Sequence, residues 1–294
     1  MAKSKKNCKL SVITIFLLMI LAVIIVYPVK AASSIPVDLE TGQTYTYYDI
    51  TGDGKNDRFA VEAVSSNSYY TGQGYYNAIY IYVNGKKQCI KLKGTQMPFY
   101  NLTARLYIFD DDRPLLYLGA ESDNDYKFIN GILRYENGRW KYLLDMTKAF
   151  GNYKQYARGE VISNNGNDLR VRYEIMCWTI GFCRVDYAYV YENGVLRCKS
   201  TFGKLIDYQT RYGSDILTAN KTIRVYKSYG KGGTAFVLRK GSNVTVQRWR
   251  YAGGRLYIKV KCGTKTGWIN GQKQKQFVTS EQKLFFNAPY VCLN

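Results

Sequence analysis

Nine consecutive residues, Asp49 to Asp57, carry oxygen atoms at a spacing that suits calcium. Oxygen-bearing side chains stand at relative positions 1, 3, 5 and 9, and Gly54 at position 6 permits a sharp turn. A calcium loop usually has a bidentate glutamate at position 12, where this chain has Ala60. The alternative is therefore an ordinary Asp/Gly turn between two strands. The predicted ligands of one stabilising, non-catalytic calcium ion are Asp49, Thr51, Asp53, the backbone carbonyl of Lys55, and Asp57.

Histidine is missing from the whole chain. Serine–histidine and cysteine–histidine nucleophile systems are excluded for that reason, because each needs the imidazole as its base. Acidic loop residues leave a carboxylate-based hydrolase as a minor alternative, although clustered acids in β-loops more often form turns or metal sites. We therefore expect that the protein is not an enzyme.

Six cysteines follow residue 31, an even number that permits disulfides in an oxidising compartment. No Cys-x-x-Cys pair is present, so a zinc site is not expected. We predict one disulfide across a local hairpin, Cys177–Cys183, and one near the C-terminus, Cys262–Cys292. Buried free thiols are the alternative for all four residues.

The last 80 residues combine flat aromatic side chains with a strong positive charge. Residues 215–294 hold 15 Lys and Arg against two acids, which is +13 of the total net charge of +20. Arginine forks bind carboxylates and phosphates, so the segment is expected to bind an anionic partner. A solvated basic face and an aromatic core are the alternatives, and nucleic acid is not an expected partner outside a cell. The predicted ligand-binding residues are Tyr226, Tyr229, Arg248, Trp249, Arg250, Tyr251, Arg255 and Trp268.

Three Asn-Gly pairs, at Asn84, Asn137 and Asn193, mark a repeat, because they lie 53 and 56 residues apart. Asn-Gly suits the type I′ turn of a β-hairpin, in which both central residues have positive φ. Tyr, Val, Ile and Thr favour strands, and polar residues recur at every second position. The pattern predicts an all-β protein with three four-stranded antiparallel meanders. These units lie at about 44–92, 104–146 and 158–202, within a repeat region at 38–205.

The Asp49–Asp57 loop and the three units resemble FG-GAP/VCBS-type repeats, which occur in extracellular β-propeller proteins. The resemblance implies propeller-blade-like units and a calcium site in the loop. It weakens along the chain, because the corresponding loops at 110–114 and 164–168 have lost the spacing. Three blades are too few for an ordinary closed propeller, so an incomplete propeller and an irregular β-assembly both remain open.

Residues 215–294, after a predicted linker at 206–214, resemble a bacterial SH3-type domain. The resemblance is carried by Lys240-Gly241 before a Val-x-Val strand, by the strand Tyr257–Val260, and by Gly267-Trp268-Ile269. It implies a small SH3-like barrel that attaches an extracellular protein to cell-wall material, often peptidoglycan peptides.

The first 31 residues have the pattern of a secretory signal peptide, with a basic start, an apolar run at 10–27 and small residues at 29–31. An uncleaved membrane anchor is the alternative. We expect an exported, non-enzymatic binding protein that is secreted or associated with the cell surface, and that is membrane-anchored if the signal stays. The expected partner is a wall peptide or an anionic wall polymer. Alternatively, the repeat region recognises another extracellular protein or a glycan, and the barrel is purely structural.

Overall fold

The structure is a computed structural model that describes residues 36–65, 73–93, 96–109, 113–123, 126–150, 157–177, 179–208, 215–230, 232–273 and 283–288. The predicted signal at 1–31 lies outside these residues. The strands, in chain order, are β1 (Val37–Asp38), β2 (Thr44–Tyr48), β3 (Asp57–Val64), β4 (Ala78–Val83), β5 (Lys86–Lys91), β6 (Phe99–Tyr107), β7 (Leu115–Ser122), β8 (Lys127–Glu136), β9 (Arg139–Asp145), β10 (Ala157–Asn165), β11 (Asp168–Cys177), β12 (Gly181–Glu192), β13 (Val195–Cys198), β14 (Lys204–Tyr208), β15 (Leu217–Thr218), β16 (Ile223–Tyr226), β17 (Thr234–Leu238), β18 (Asn243–Ala252), β19 (Arg255–Cys262) and β20 (Lys265–Lys273).

These strands form four antiparallel sheets, which confirms the predicted all-β class. The first sheet has the order β2-β3-β4-β5, and the second has the order β1-β6-β7-β8-β9. The third sheet has the order β10-β11-β12-β13, with β14 also paired to β12, and the fourth has the order β15-β18-β19-β20-β16-β17. A short 3-10 turn, Met146–Lys148, follows β9. Among the described residues, no helix has the length and apolar character needed to cross a membrane.

The three Asn-Gly turns have the conformation that the sequence predicts. Asn84, Asn137 and Asn193 have φ values of 49°, 51° and 52°, and the glycine after each has a φ of 78° or 79°. These are the only non-glycine residues with positive φ in the described part of the chain. Each turn closes a hairpin between neighbouring strands of the first, second or third sheet.

The second sheet is covered on both faces. Leu116 and Leu118 of β7 pack in one core with residues of the first sheet. Leu115 and Tyr117 point the opposite way, into a core shared with the third sheet. This placement explains why β7 is an uninterrupted apolar run, since successive residues of a strand face opposite sides.

The second core continues from the third sheet into the fourth. Trp249 of β18 is 1% exposed, and its ring lies 5.3 Å from Phe150 and 6.2 Å from Tyr187. Gly203, just before β14, bonds to the Trp249 carbonyl at 3.1 Å. The fourth sheet therefore buries its central aromatic residue against the sheet that precedes it in the chain.

The predicted linker at 206–214 needs a correction at its start. Residues 206–208 belong to β14, which pairs with β12 from Asp186↔Lys204 to Cys183↔Tyr208. Residues 209–214 lie outside the described part. The C-terminal segment 283–288 docks on the fourth sheet, where the Phe286 amide bonds to the Thr218 carbonyl at 2.8 Å.

Candidate functional site

The Asp49–Asp57 loop joins β2 to β3, and the carboxylate of Asp49 organises it. That carboxylate accepts backbone N–H groups from Gly52 at 2.6 Å, Asp53 at 3.1 Å and Gly54 at 2.7 Å. Burial alone raises the pKa of Asp49, but these three donors and the Thr51 hydroxyl outweigh it and hold the pKa below its ordinary value of 3.8. The loop is therefore a turn that is stabilised by its own first residue.

Part of the predicted ligand set converges at this turn. The Thr51 hydroxyl lies 3.5 Å from Asp49 Oδ1 and 3.4 Å from Asp57 Oδ1, so the oxygens at positions 1, 3 and 9 meet. Asp53, at position 5, instead accepts the Lys55 N–H at 2.9 Å. Across the described residues, no group of three or more His, Cys, Asp and Glu side chains is placed to hold a metal. The loop thus fits calcium only in part.

Acid is expected to weaken this turn. Because the folded pKa of Asp49 is depressed, its stabilising effect is complete above about pH 4 and is lost as the pH falls through the lower folded value. The Asp49→Asn variant lacks the charge at every pH. Thermal melts between neutral pH and about pH 2 should show a wild-type advantage that disappears in acid. An advantage of constant size down to the lowest pH would contradict this role.

The fourth sheet carries an aromatic cluster made of Phe202, Tyr229, Tyr257 and Trp268. The Tyr229 ring is 38% exposed and lies 5.6 Å from Trp268 and 6.0 Å from Tyr257. Trp268 is only 8% exposed, so it forms the base of the cluster. Rings at these separations present the flat surfaces on which cations and sugar rings stack.

Arg250 is half-buried and stacks on two rings of this aromatic cluster. Its guanidinium carbon lies 4.2 Å from the Tyr229 ring centroid and 4.9 Å from that of Phe202. The Arg250 Nη1 donates to the Thr201 hydroxyl at 2.6 Å. The guanidinium is held between two rings, and this arrangement orients its remaining donors.

The sequence did not single out Phe202, although it completes the cluster. Phe202 belongs to the short segment between β13 and β14, about 27 residues before Tyr229, and its ring lies 5.6 Å from Tyr229 and 5.7 Å from Trp268. The only signal in the sequence was an aromatic residue next to Gly203 in a short connection between two strands. It carried no indication of which sheet the ring would contact.

Two of the predicted ligand-binding residues lie on the face of β18 that packs into the core. Trp249 is fully buried against the third sheet, so its assignment to a ligand surface is wrong. Tyr251 lies on the same face of β18, with its ring 5.8 Å from Phe150. The physical reason is strand alternation, which sends Arg250 to one face and its two neighbours to the other.

The remaining predicted residues are spread along the fourth sheet. Arg248 is exposed on β18 and pairs with Lys259, on the same side of the strand as Arg250. Tyr226 is half-buried and lies opposite Trp268. Arg255 is half-buried where β19 begins. The structure thus brings together Tyr229, Arg250 and Trp268, with Tyr226 beside them.

The structure does not describe both side chains of either predicted disulfide, so both pairings stay predictions. Among the cysteines whose side chains the structure describes, no two are joined to each other: Cys89, Cys183, Cys198 and Cys262. In the β11–β12 register Cys183 stands opposite Ile175, and Cys177 stands opposite Gly181. A diagonal pair of this kind has Cα atoms about 7–8 Å apart, which is beyond the usual disulfide range. Cys262 is half-buried at the end of β19, and Cys292 lies outside the described residues.

Comparison of the chain with protein-family models, with curated proteins and with solved structures found no match.

Proposed function

We propose that this chain is an exported, non-enzymatic binding protein of the cell envelope, and that its C-terminal part binds anionic or peptide cell-wall material. The observation that carries the proposal is the Arg250 guanidinium stacked on Phe202 and on the partly exposed Tyr229. The surrounding segment is strongly basic, with 15 Lys and Arg in residues 215–294. An oriented guanidinium beside an exposed Tyr229 suits a carboxylate or phosphate carried by a flat or apolar group.

The proposed architecture is three propeller-blade-like units followed by an SH3-like barrel. Support for the units comes from the three I′ turns, each closing one hairpin in a separate sheet. Support for the barrel comes from two motifs: Lys240-Gly241 forms the turn between β17 and β18, and Gly267-Trp268-Ile269 lies in β20 of the same sheet. On this proposal the units form a scaffold, and another extracellular protein or a glycan is the alternative partner.

Retention on purified wall sacculi tests the proposed binding surface. The experiment uses the exported chain from residue 32, because an isolated C-terminal part would expose Trp249. We expect Tyr229→Ala to weaken retention roughly tenfold, which corresponds to about 1.4 kcal/mol. Tyr47→Ala is the matched control, since that tyrosine is 77% exposed on the first sheet and far from the cluster in the chain.

Salt distinguishes the kind of wall component that is bound. Retention that is lost between low and high ionic strength indicates an anionic polymer, whereas retention that survives high salt indicates a peptide held by the rings. No retention of the wild type at moderate salt, or equal retention of both tyrosine variants, would contradict the proposal.

We propose in addition that the Asp49–Asp57 loop binds calcium as a stabilising ion, after Asp53 turns away from the Lys55 N–H. A ligand that binds only the folded state at a hundred times its dissociation constant stabilises by about 2.7 kcal/mol. The melting temperature of the wild type should therefore rise by roughly 5–10 °C in calcium relative to chelator. Asp53→Ala should remove the difference, and Asp123→Ala, an exposed acid elsewhere, should keep it. Identical melts of the wild type under both conditions would show that the turn needs no ion.

A further inference from the structure

A cleft of about 310 Å³ lies between the second and third sheets, and its walls are charged. Glu121 and Lys127 line it from the second sheet. Arg158, Glu160, Arg172 and Glu174 line it from the third sheet. The two walls together hold three acids and three bases, and no described residue of the lining is aromatic.

Gly159 also lines the cleft, and a buried polar network fixes its position. Asn130 is 0% exposed; its Oδ1 accepts the Gly159 N–H at 2.9 Å and its Nδ2 donates to the Gly159 carbonyl at 3.0 Å. The Tyr117 hydroxyl donates to the same carbonyl at 3.1 Å. The two walls therefore keep a fixed relative position, which lowers the entropic cost of binding a ligand between them.

The charged side chains of the third-sheet wall already form ion pairs with other residues of the protein. Arg158 pairs with Glu174 directly opposite it. Arg172 forms a two-pronged pair with Asp186, at 2.8 and 3.1 Å. Glu160 lies 3.4 Å from Arg105. This wall presents local charges but no net charge to a ligand.

The second-sheet wall differs, because its two charged side chains form no ion pair with another described residue. Glu121 and Lys127 are half-buried and directly opposite each other on β7 and β8. Within the described chain neither side chain forms an ion pair or a side-chain hydrogen bond, with each other or with a third residue. A carboxylate and an ammonium group in a semi-enclosed cleft gain from partners of opposite charge.

We propose that this cleft binds a short zwitterionic peptide, with the ligand's ammonium on Glu121 and its carboxylate on Lys127. A single anion or cation would satisfy one of the two groups and repel the other. A neutral sugar usually stacks on aromatic rings, and the described lining provides none. The volume is at the lower end of ligand sites, which suits two or three small residues.

Titration of the exported chain with tri-alanine, its N-acetylated form and its C-terminal amide tests the site by NMR. Tri-alanine should bind saturably at millimolar concentration, and each blocked peptide should bind about two- to fivefold more weakly, the upper part of the range for a partly exposed ion pair. Glu121→Gln should abolish the discrimination against the acetylated peptide alone. Lys127→Gln should abolish the discrimination against the amide alone.

Glu192→Gln and Lys86→Gln, exposed positions at hairpin ends outside the lining, are the matched controls and should bind all three peptides like the wild type. Soluble peptides are used, so the result is independent of wall retention through the fourth sheet. Failure of tri-alanine to bind, or equal affinity for all three peptides, would overturn the proposal. Wild-type discrimination in both cleft variants would overturn it as well.

Discussion

Replacement of Trp249 with alanine is expected to destabilise the protein by about 3–5 kcal/mol, the usual cost of removing a large buried aromatic side chain. Trp249 is 1% exposed and contacts Phe150 and Tyr187, which come from outside its own sheet. The variant would leave a cavity where the third and fourth sheets meet. In a chain of this size the melting temperature should fall by roughly 6–20 °C.

The control is Trp249→Phe, which keeps an aromatic ring in the same place. The indole Nε1 of Trp249 has no hydrogen-bond partner among the described residues, so the phenylalanine variant loses only packing volume. It should cost less than half as much as the alanine variant. If Trp249→Ala keeps the wild-type melting temperature but loses wall retention, Trp249 is a ligand residue after all and the burial argument fails.

The second large effect is expected at Asn130, where alanine should cost about 2–4 kcal/mol. The Asn130 side chain is the hydrogen-bond partner of both the Gly159 N–H and its carbonyl, and it also donates to the Tyr117 hydroxyl at 3.2 Å. Its removal leaves the Gly159 N–H without this acceptor and takes one of two donors from the Gly159 carbonyl, and an unsatisfied buried polar group costs about 1–3 kcal/mol. Denaturant unfolding should show the loss as a lower midpoint with an unchanged slope.

Two further variants separate this network from general packing. Tyr117→Phe removes one donor while Asn130 still binds the Gly159 carbonyl, so its cost should be about 1 kcal/mol. Asn101→Ala changes the same residue type at an exposed position of β6 and should stay within about 0.5 kcal/mol of the wild type. A double-mutant cycle between Asn130 and Tyr117 should show coupling, because the two side chains share one acceptor. Additive effects would mean that they act independently.

The sequence predicted well wherever the signal was local. Asn84, Asn137 and Asn193 formed I′ turns because Asn-Gly accepts positive φ with little dependence on the rest of the chain. Alternation and β-branched residues gave the strands because side chains of a strand repeat every two residues. The loop at Asp49 likewise depends on neighbours within eight positions.

The prediction of the ligand surface was less accurate, because it required knowing which face of each strand packs against another sheet. Trp249, Arg250 and Tyr251 are adjacent in the chain and look like one aromatic–basic patch. Only the packing of the third sheet against one face of β18 decides that Trp249 is buried and that Arg250 is outside. Phe202 joins the cluster through contacts that no local pattern encodes.

The sequence by itself therefore determined the all-β class, the three hairpin turns and the Asp49–Asp57 turn, since each depends on residues within one hairpin. Tertiary structure alone decided which aromatic residues are core and which are surface. It also decided where Gly159 meets Asn130, and that Glu121 and Lys127 share a cleft with residues some 30 to 50 positions away in the chain. The physical reason is that these features depend on which sheet faces cover each other, and burial between sheets depends on the packing of the whole chain.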